Sequence, residues 1–162
     1  MKIIDFYWKE NDWTFFDKSV NKMVFHPVIE KHANFYFIND VKEIGNINSY
    51  FVEIIGNNLS KEDLMNNYYT KFKFPYFGFN WDALWDCLCD LDWIGLKDII
   101  IYHEVLPKLE DKDFKIYFKI LRDAIGNWNI WNEHNFKVYF NLKNYEETEK
   151  IIESSLLNFK NL

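Results

Sequence analysis

YFGFNWDALWDCL, running from Tyr76 to Leu88, is the stretch whose reading decides the fold. It sets Asp82 and Asp86 four residues apart, with Trp85 between them. At roughly 100° per residue, an α-helix brings Asp82, Trp85, Asp86 and Cys89 onto one face. Leu84, Cys87, Leu88 and Leu91 fall on the opposite face and form an ordinary core stripe. The acid–Trp–acid set is therefore predicted to face outward. Solvated helix faces usually pair opposite charges at i,i+4, whereas this pair is like-charged and slightly destabilises the helix. Such a pattern points to a surface kept for a cationic partner.

Asn80 is the predicted N-cap of a helix over 81–91. Asp82 then lies in the first turn, where the helix dipole favours an acid. Asp86 lies mid-helix and has no such local role. Residues 72–79 read as an aromatic loop containing Pro75 and Gly78. From Phe79 to Asp92 the chain holds Asp82, Asp86, Asp90 and Asp92 and no base.

Working outward, residues 1–31 are aromatic-rich, with breaks at Glu10-Asn11-Asp12 and near Asn21-Lys22 that suggest two or three short strands. The apolar positions there include Ile3, Ile4, Phe6, Tyr7, Trp8, Trp13 and Phe25. Asn34 to Asn39 reads as a buried strand. Tyr50, Phe51, Ile54 and Ile55 recur at helical spacing, which predicts a helix over 48–57. Ser60 and Asp63 form a capping-box pattern and open a second short helix over 61–69. Asp98 to Tyr102 (DIIIY) and Phe136 to Leu142 read as strands. Residues 112–125 and 145–159 read as amphipathic helices, the latter with Ile151, Ile152, Leu156 and Phe159 inward. Strands alternating with helices favour an α/β layer fold with a parallel sheet.

A chain of 162 residues, 49% hydrophobic and 27% charged, reads as one globular domain. Its net charge of −6 argues against direct nucleic-acid binding, which needs cations against phosphate, and suits a basic protein partner. Aromatics reach 20%, enough to furnish both a core and a contact surface. Cys87 and Cys89, at i,i+2 on a helix, cannot bridge each other, and no His stands near them for a zinc site. They read as reduced thiols of a cytoplasmic protein. Neither a secretory leader nor a membrane span is expected.

No phosphate-binding glycine loop, HExxH or nucleophile elbow appears, and His26, His32, His103 and His134 are scattered. No catalytic residue, metal or cofactor is therefore assigned, and the chain is not expected to be an enzyme. The residues alone leave alternatives open. Asp82 and Asp86 could serve a small metal-dependent hydrolase as general acid and base or as ligands. A merely solvated helix face, or a non-inhibitory interaction domain, would also fit. A binding surface accounts best for an exposed Trp beside two acids. Carboxylates there can occupy the place of a substrate's anionic oxygens in a phosphate-handling enzyme.

The segment Tyr76-Phe77-Gly78, Asn80, and Asp82-Ala83-Leu84-Trp85-Asp86-Cys87-Leu88 resembles the barstar family, intracellular inhibitors of small secreted ribonucleases. Weaker similarity places a first strand at Phe37-Ile38-Asn39 with its helix following, a second at 99–102 and a third at 136–140. The resemblance implies a three-stranded parallel sheet packed by helices. It divides the chain into an N-terminal β-rich extension (1–32), a core (33–142) and a C-terminal helix (143–162), with residues 60–73 as an insertion. It also implies the partner, a ribonuclease or other nuclease toxin, met by a chain that is monomeric when free. Tyr76, Phe77, Gly78, Asn80, Asp82, Trp85, Asp86, Trp93 and Asp123 would form the contact surface. Asp86 would be its central acid and Asp123 would complete an acidic rim. Phe79 stands where the family has a polar residue.

Overall fold

The computed structural model describes residues 1–11, 15–17, 22–24, 28–45, 48–56 and 58–159. Its strands are β1 (Lys2–Asn11), β2 (Phe15–Asp17), β3 (Lys22–Val24), β4 (Val28–Ile38), β5 (Ser49–Ile54), β6 (Asp98–His103) and β7 (Asn135–Asn141). Its helices are α1 (Lys61–Phe72), α2 (Trp81–Cys89), α3 (Asp111–Trp131) and α4 (Tyr145–Phe159). Five strands form one sheet in the order β1-β4-β7-β6-β5, and β2 and β3 make a separate antiparallel pair.

The expected three-stranded parallel sheet is corrected here. β5, β6 and β7 are parallel, β4 adds a fourth parallel strand against β7, and β1 closes the sheet antiparallel to β4. The N-terminal β-structure thus belongs largely to the main sheet. Of the two or three short strands expected in residues 1–31, β2 and β3 are short, whereas residues 2–11 make one long strand and β4 begins at Val28. The readings at Asp12, Trp13, Asn21 and Phe25 lie outside the described residues.

Strand alternation sends Phe35, Phe37, Val52, Ile54, Ile99, Ile101, Val138 and Phe140 to one face, all buried. The helices cover that face. Phe118 of α3 packs on Phe35 and Phe140, Tyr145 of α4 on Phe37, and Phe72 of α1 on Tyr50.

Residues 48–57 are the main departure from the sequence reading, since Ser49–Ile54 is a strand and not a helix. The run SYFVEI also fits period two, with Val52 and Ile54 buried and Phe51 exposed. Its β-branched and aromatic content and its stop at Gly56 favour the strand. Asn57, where the helix was to end, lies outside the described residues. Ser60 and Asp63 do form a reciprocal capping box, and the helix they open runs on to Phe72. Residues 60–73, expected as an insertion, hold α1, the first α-helix among the described residues.

α3 continues past Ile125 to Trp131, through Gly126. A Cβ on Gly126 would stand 2.5 and 2.8 Å from two ring carbons of Trp8, so this glycine seats the indole of β1 on the helix. Arg122 lies over the other part of the ring, 4.5 Å from its centroid. In α4, Ile152 is buried and Ile151 partly so. The side chains of Leu156 and Phe159 lie outside the described set.

One polar chain crosses the core. The hydroxyls of Tyr68 (α1) and Tyr117 (α3) lie 2.7 Å apart, and Tyr117 is 2.6 Å from Nε2 of His103 (β6). Burial pushes the His103 pKa down to about 3, so the ring is neutral and can accept from Tyr117.

Replacing Gly126 with Ala should destabilise the fold by about 1–3 kcal/mol in urea denaturation, despite the better helix propensity of Ala. The Trp8→Ala background should remove most of that cost. Between about pH 6.5 and pH 3 the unfolded state binds the His103 proton and the folded state does not. Stability should therefore fall with falling pH across that window, by up to about 1.4 kcal/mol per unit. His103→Gln should flatten this slope, as read from urea midpoints at pH 7, 5.5 and 4.

Candidate functional site

α2 is nine residues long and too short to be stable alone. Its inward face supplies the missing stability: Leu84, Cys87 and Leu88 are fully buried, joined by Leu91 just beyond. Each such side chain contributes roughly 1.5–3 kcal/mol. At the start, Asn80 Oδ1 accepts from the Ala83 amide at 2.8 Å, the predicted cap. At the end, the Trp128 indole of α3 donates to the Leu88 carbonyl at 2.9 Å. Burial pushes the Cys87 thiol up to about 11 and Cys89 up to about 12, which leaves both protonated and weakly reactive. Both cysteines are free thiols.

The outward face matches the helical count for the two acids and Trp85, whereas Cys89 is half-buried beside Asn127 of α3. Asp82 and Asp86 are exposed and Trp85 is half-buried between them. Neither carboxylate makes an ion pair or hydrogen bond with the described residues. Lys61 sits over the Trp81 ring and pairs with Asp113, to which the Trp81 indole also donates.

The loop before α2 is an aromatic platform. Phe77 stacks on Tyr69 of α1 at 6.0 Å, and Phe79 packs on Phe77 at 4.8 Å and on Tyr69 at 5.2 Å. Phe79 has φ of +52°, a left-handed conformation costly for a bulky side chain, and it remains 46% exposed. Gly78 has little room for a side chain, since a Cβ would lie 3.2 Å from Asn80 Nδ2. Tyr76 is 52% exposed and donates to Asp90 at 2.8 Å, and this hydrogen bond pushes its pKa up to about 12.

Two residues are placed differently from the rest. Trp93 lies beneath the loop, donating to the Phe72 carbonyl at 2.9 Å and meeting Phe74 edge-on. Asp123 is 5% exposed and its carboxylate is bound by Lys119 at 2.5 Å and Arg122 at 2.6 Å. It therefore stands beside α2 as a neutralised acid. A groove of about 690 Å³ opens between α2, α3 and strands β1 and β4, where Trp81, Asp82 and Trp85 share the lining with Lys9, Lys31 and Lys119. Among the described residues, no three His, Cys, Asp or Glu side chains gather as a metal site.

A family model described as Barstar (barnase inhibitor) matches residues 50–143, well over half of the chain. The chain belongs to the barstar family. No curated protein and no solved structure matched it. The barstar match opens on β5 and closes after β7, and so leaves outside it the strand at Phe37-Ile38-Asn39 that the sequence reading took as the family's first. Tyr69 escaped the sequence reading because residues 60–73 were set aside, although its spacing to Phe77 and Phe79 is the aromatic signal that could have found it.

Asn80→Ala should lower stability by about 1 kcal/mol through loss of the cap. The expected signature is a lower urea midpoint with an unchanged slope, since the rest of the fold persists.

Proposed function

We propose that this barstar-family protein inhibits a ribonuclease or related nuclease toxin inside the cell by docking the outward face of α2 and the preceding loop into the active site. The observation that carries this reading is the pair of exposed, unpaired carboxylates, Asp82 and Asp86, flanking Trp85 on a helix fixed from behind. An enzyme that binds a phosphodiester presents cations to it. Asp86, at the middle of the helix, would meet those cations with its charge, and Asp82 would flank it. Trp85, Tyr76, Phe77, Gly78 and Asn80 would supply the surrounding contact area, and apolar Phe79 would extend it. Trp93 and Asp123 would act from behind, Trp93 by holding the loop and Asp123 by holding Lys119 and Arg122.

Water is excluded when such a surface closes, which strengthens each charge pair. The face is acidic over a stretch with no base, so association should be fast and salt-sensitive. Inhibition needs no chemistry from the chain itself, only occupancy of the phosphate site.

The test is binding and inhibition of a barnase-type ribonuclease by the wild type and by Asp86→Ala. The variant should lose about 2 kcal/mol or more of binding, a hot-spot scale for which the barnase–barstar pair is itself a reference example. Its melting temperature should hold or rise slightly, because a like-charged i,i+4 pair is removed. Equal affinity in both proteins would sink the assignment of this face.

A further inference from the structure

β1 is the end strand of the sheet. Its inner edge pairs with β4 along ten residues, and its outer edge meets no strand among the described residues. β5, at the opposite end, offers six residues. Ile3, Asp5, Tyr7 and Lys9 of β1 alternate onto the helix-free face and all are exposed. Tyr7 is 79% exposed, its ring stacked over His32 at 6.3 Å. An open edge of this length is a template for another strand unless charges oppose the pairing.

The charges here favour it, because their order is self-complementary. Asp5 lies two residues before Tyr7 and Lys9 two residues after it. We propose that two copies of this chain pair edge to edge through antiparallel β1 strands, about a two-fold axis at Tyr7, into one continuous ten-stranded sheet. In that register Asp5 of each copy stands opposite Lys9 of the other, Phe6 stands opposite Trp8, and the two Tyr7 rings meet. Isologous pairing makes every such contact occur twice.

The alternatives are poorer. Centring on Phe6 sets Asp5 against Tyr7 and Lys9 against Ile3. Centring on Asp5 or on Lys9 opposes like charges directly. A slip by an odd number of residues turns the buried face outward. Lys9 is available for exchange, since its pairing with Glu30 at 3.2 Å is between largely exposed groups. β5 lacks the pattern, having Glu53 as its single charge.

The proposed interface does not depend on the nuclease reading and departs from the sequence expectation of a monomer. Sedimentation velocity on the full chain tests it. Wild type should show a concentration-dependent dimer. Asp5→Lys and Lys9→Asp should each weaken it at least tenfold, since each creates two like-charge oppositions. The double variant Asp5→Lys/Lys9→Asp should restore it, and that rescue excludes misfolding as the cause of the single-variant losses. A wild type that stays monomeric up to roughly 1 mM, the weak end of specific association, overturns the proposal. So does a dimer indifferent to both single reversals, or one that the double variant fails to restore.

Discussion

A short helix with two like charges on its outer face cannot hold itself together, and the rest of the fold is arranged around that fact. α2 is stabilised on its inner face by buried leucines, at its start by Asn80 and at its end by the Trp128 indole. Anchoring one side in the core leaves the other free to carry exposed charge. Two indoles repeat the device nearby: Trp93 closes a carbonyl at the end of α1, and Trp81 ties α2 to Asp113 of α3. Three of the seven tryptophans thus serve as hydrogen-bonded scaffolding behind the outward face of α2.

The support extends beyond the span matched to the barstar family. Lys31 of β4 donates to Glu10 of β1 at 2.5 Å and to Asn127 of α3 at 2.8 Å. Asn127 in turn reaches the Cys89 sulfur of α2 at 3.6 Å. Burial opposes the charge on Glu10, but the hydrogen bonds from Lys31 and Trp8 outweigh it and hold the carboxyl below its usual range. The N-terminal strands therefore brace α2 through α3.

The face of α2 was legible because period 3.6 separates its acids from its leucines without ambiguity. β5 was not, because Tyr50, Phe51, Ile54 and Ile55 satisfy helical spacing while Tyr50, Val52 and Ile54 satisfy strand spacing. That single ambiguity set a helix where β5 stands and left Tyr69 in a supposed insertion. The strands at 98–103 and 135–141 were read closely, since runs such as DIIIY have no amphipathic helical alternative. α3 was cut short because Gly126 and the asparagines around it resemble a stop. The glycine is there for Trp8, a partner over a hundred residues away, and no local pattern could reveal it. The settings of Trp93 and Asp123 were hidden for the same reason, since inward direction and neutralisation are tertiary properties.

Tyr68, Tyr117 and His103 come from three different elements and share two hydrogen bonds in a largely apolar interior. Their chain acts as an alignment key. Sliding α1 or α3 along the sheet by one turn would preserve greasy contact but strand a hydroxyl or an imidazole without a partner. The three positions are consequently bound into a single unit of inheritance: descendants of this sequence should keep the trio whole or exchange it wholesale for hydrocarbon, with intermediates rarely surviving.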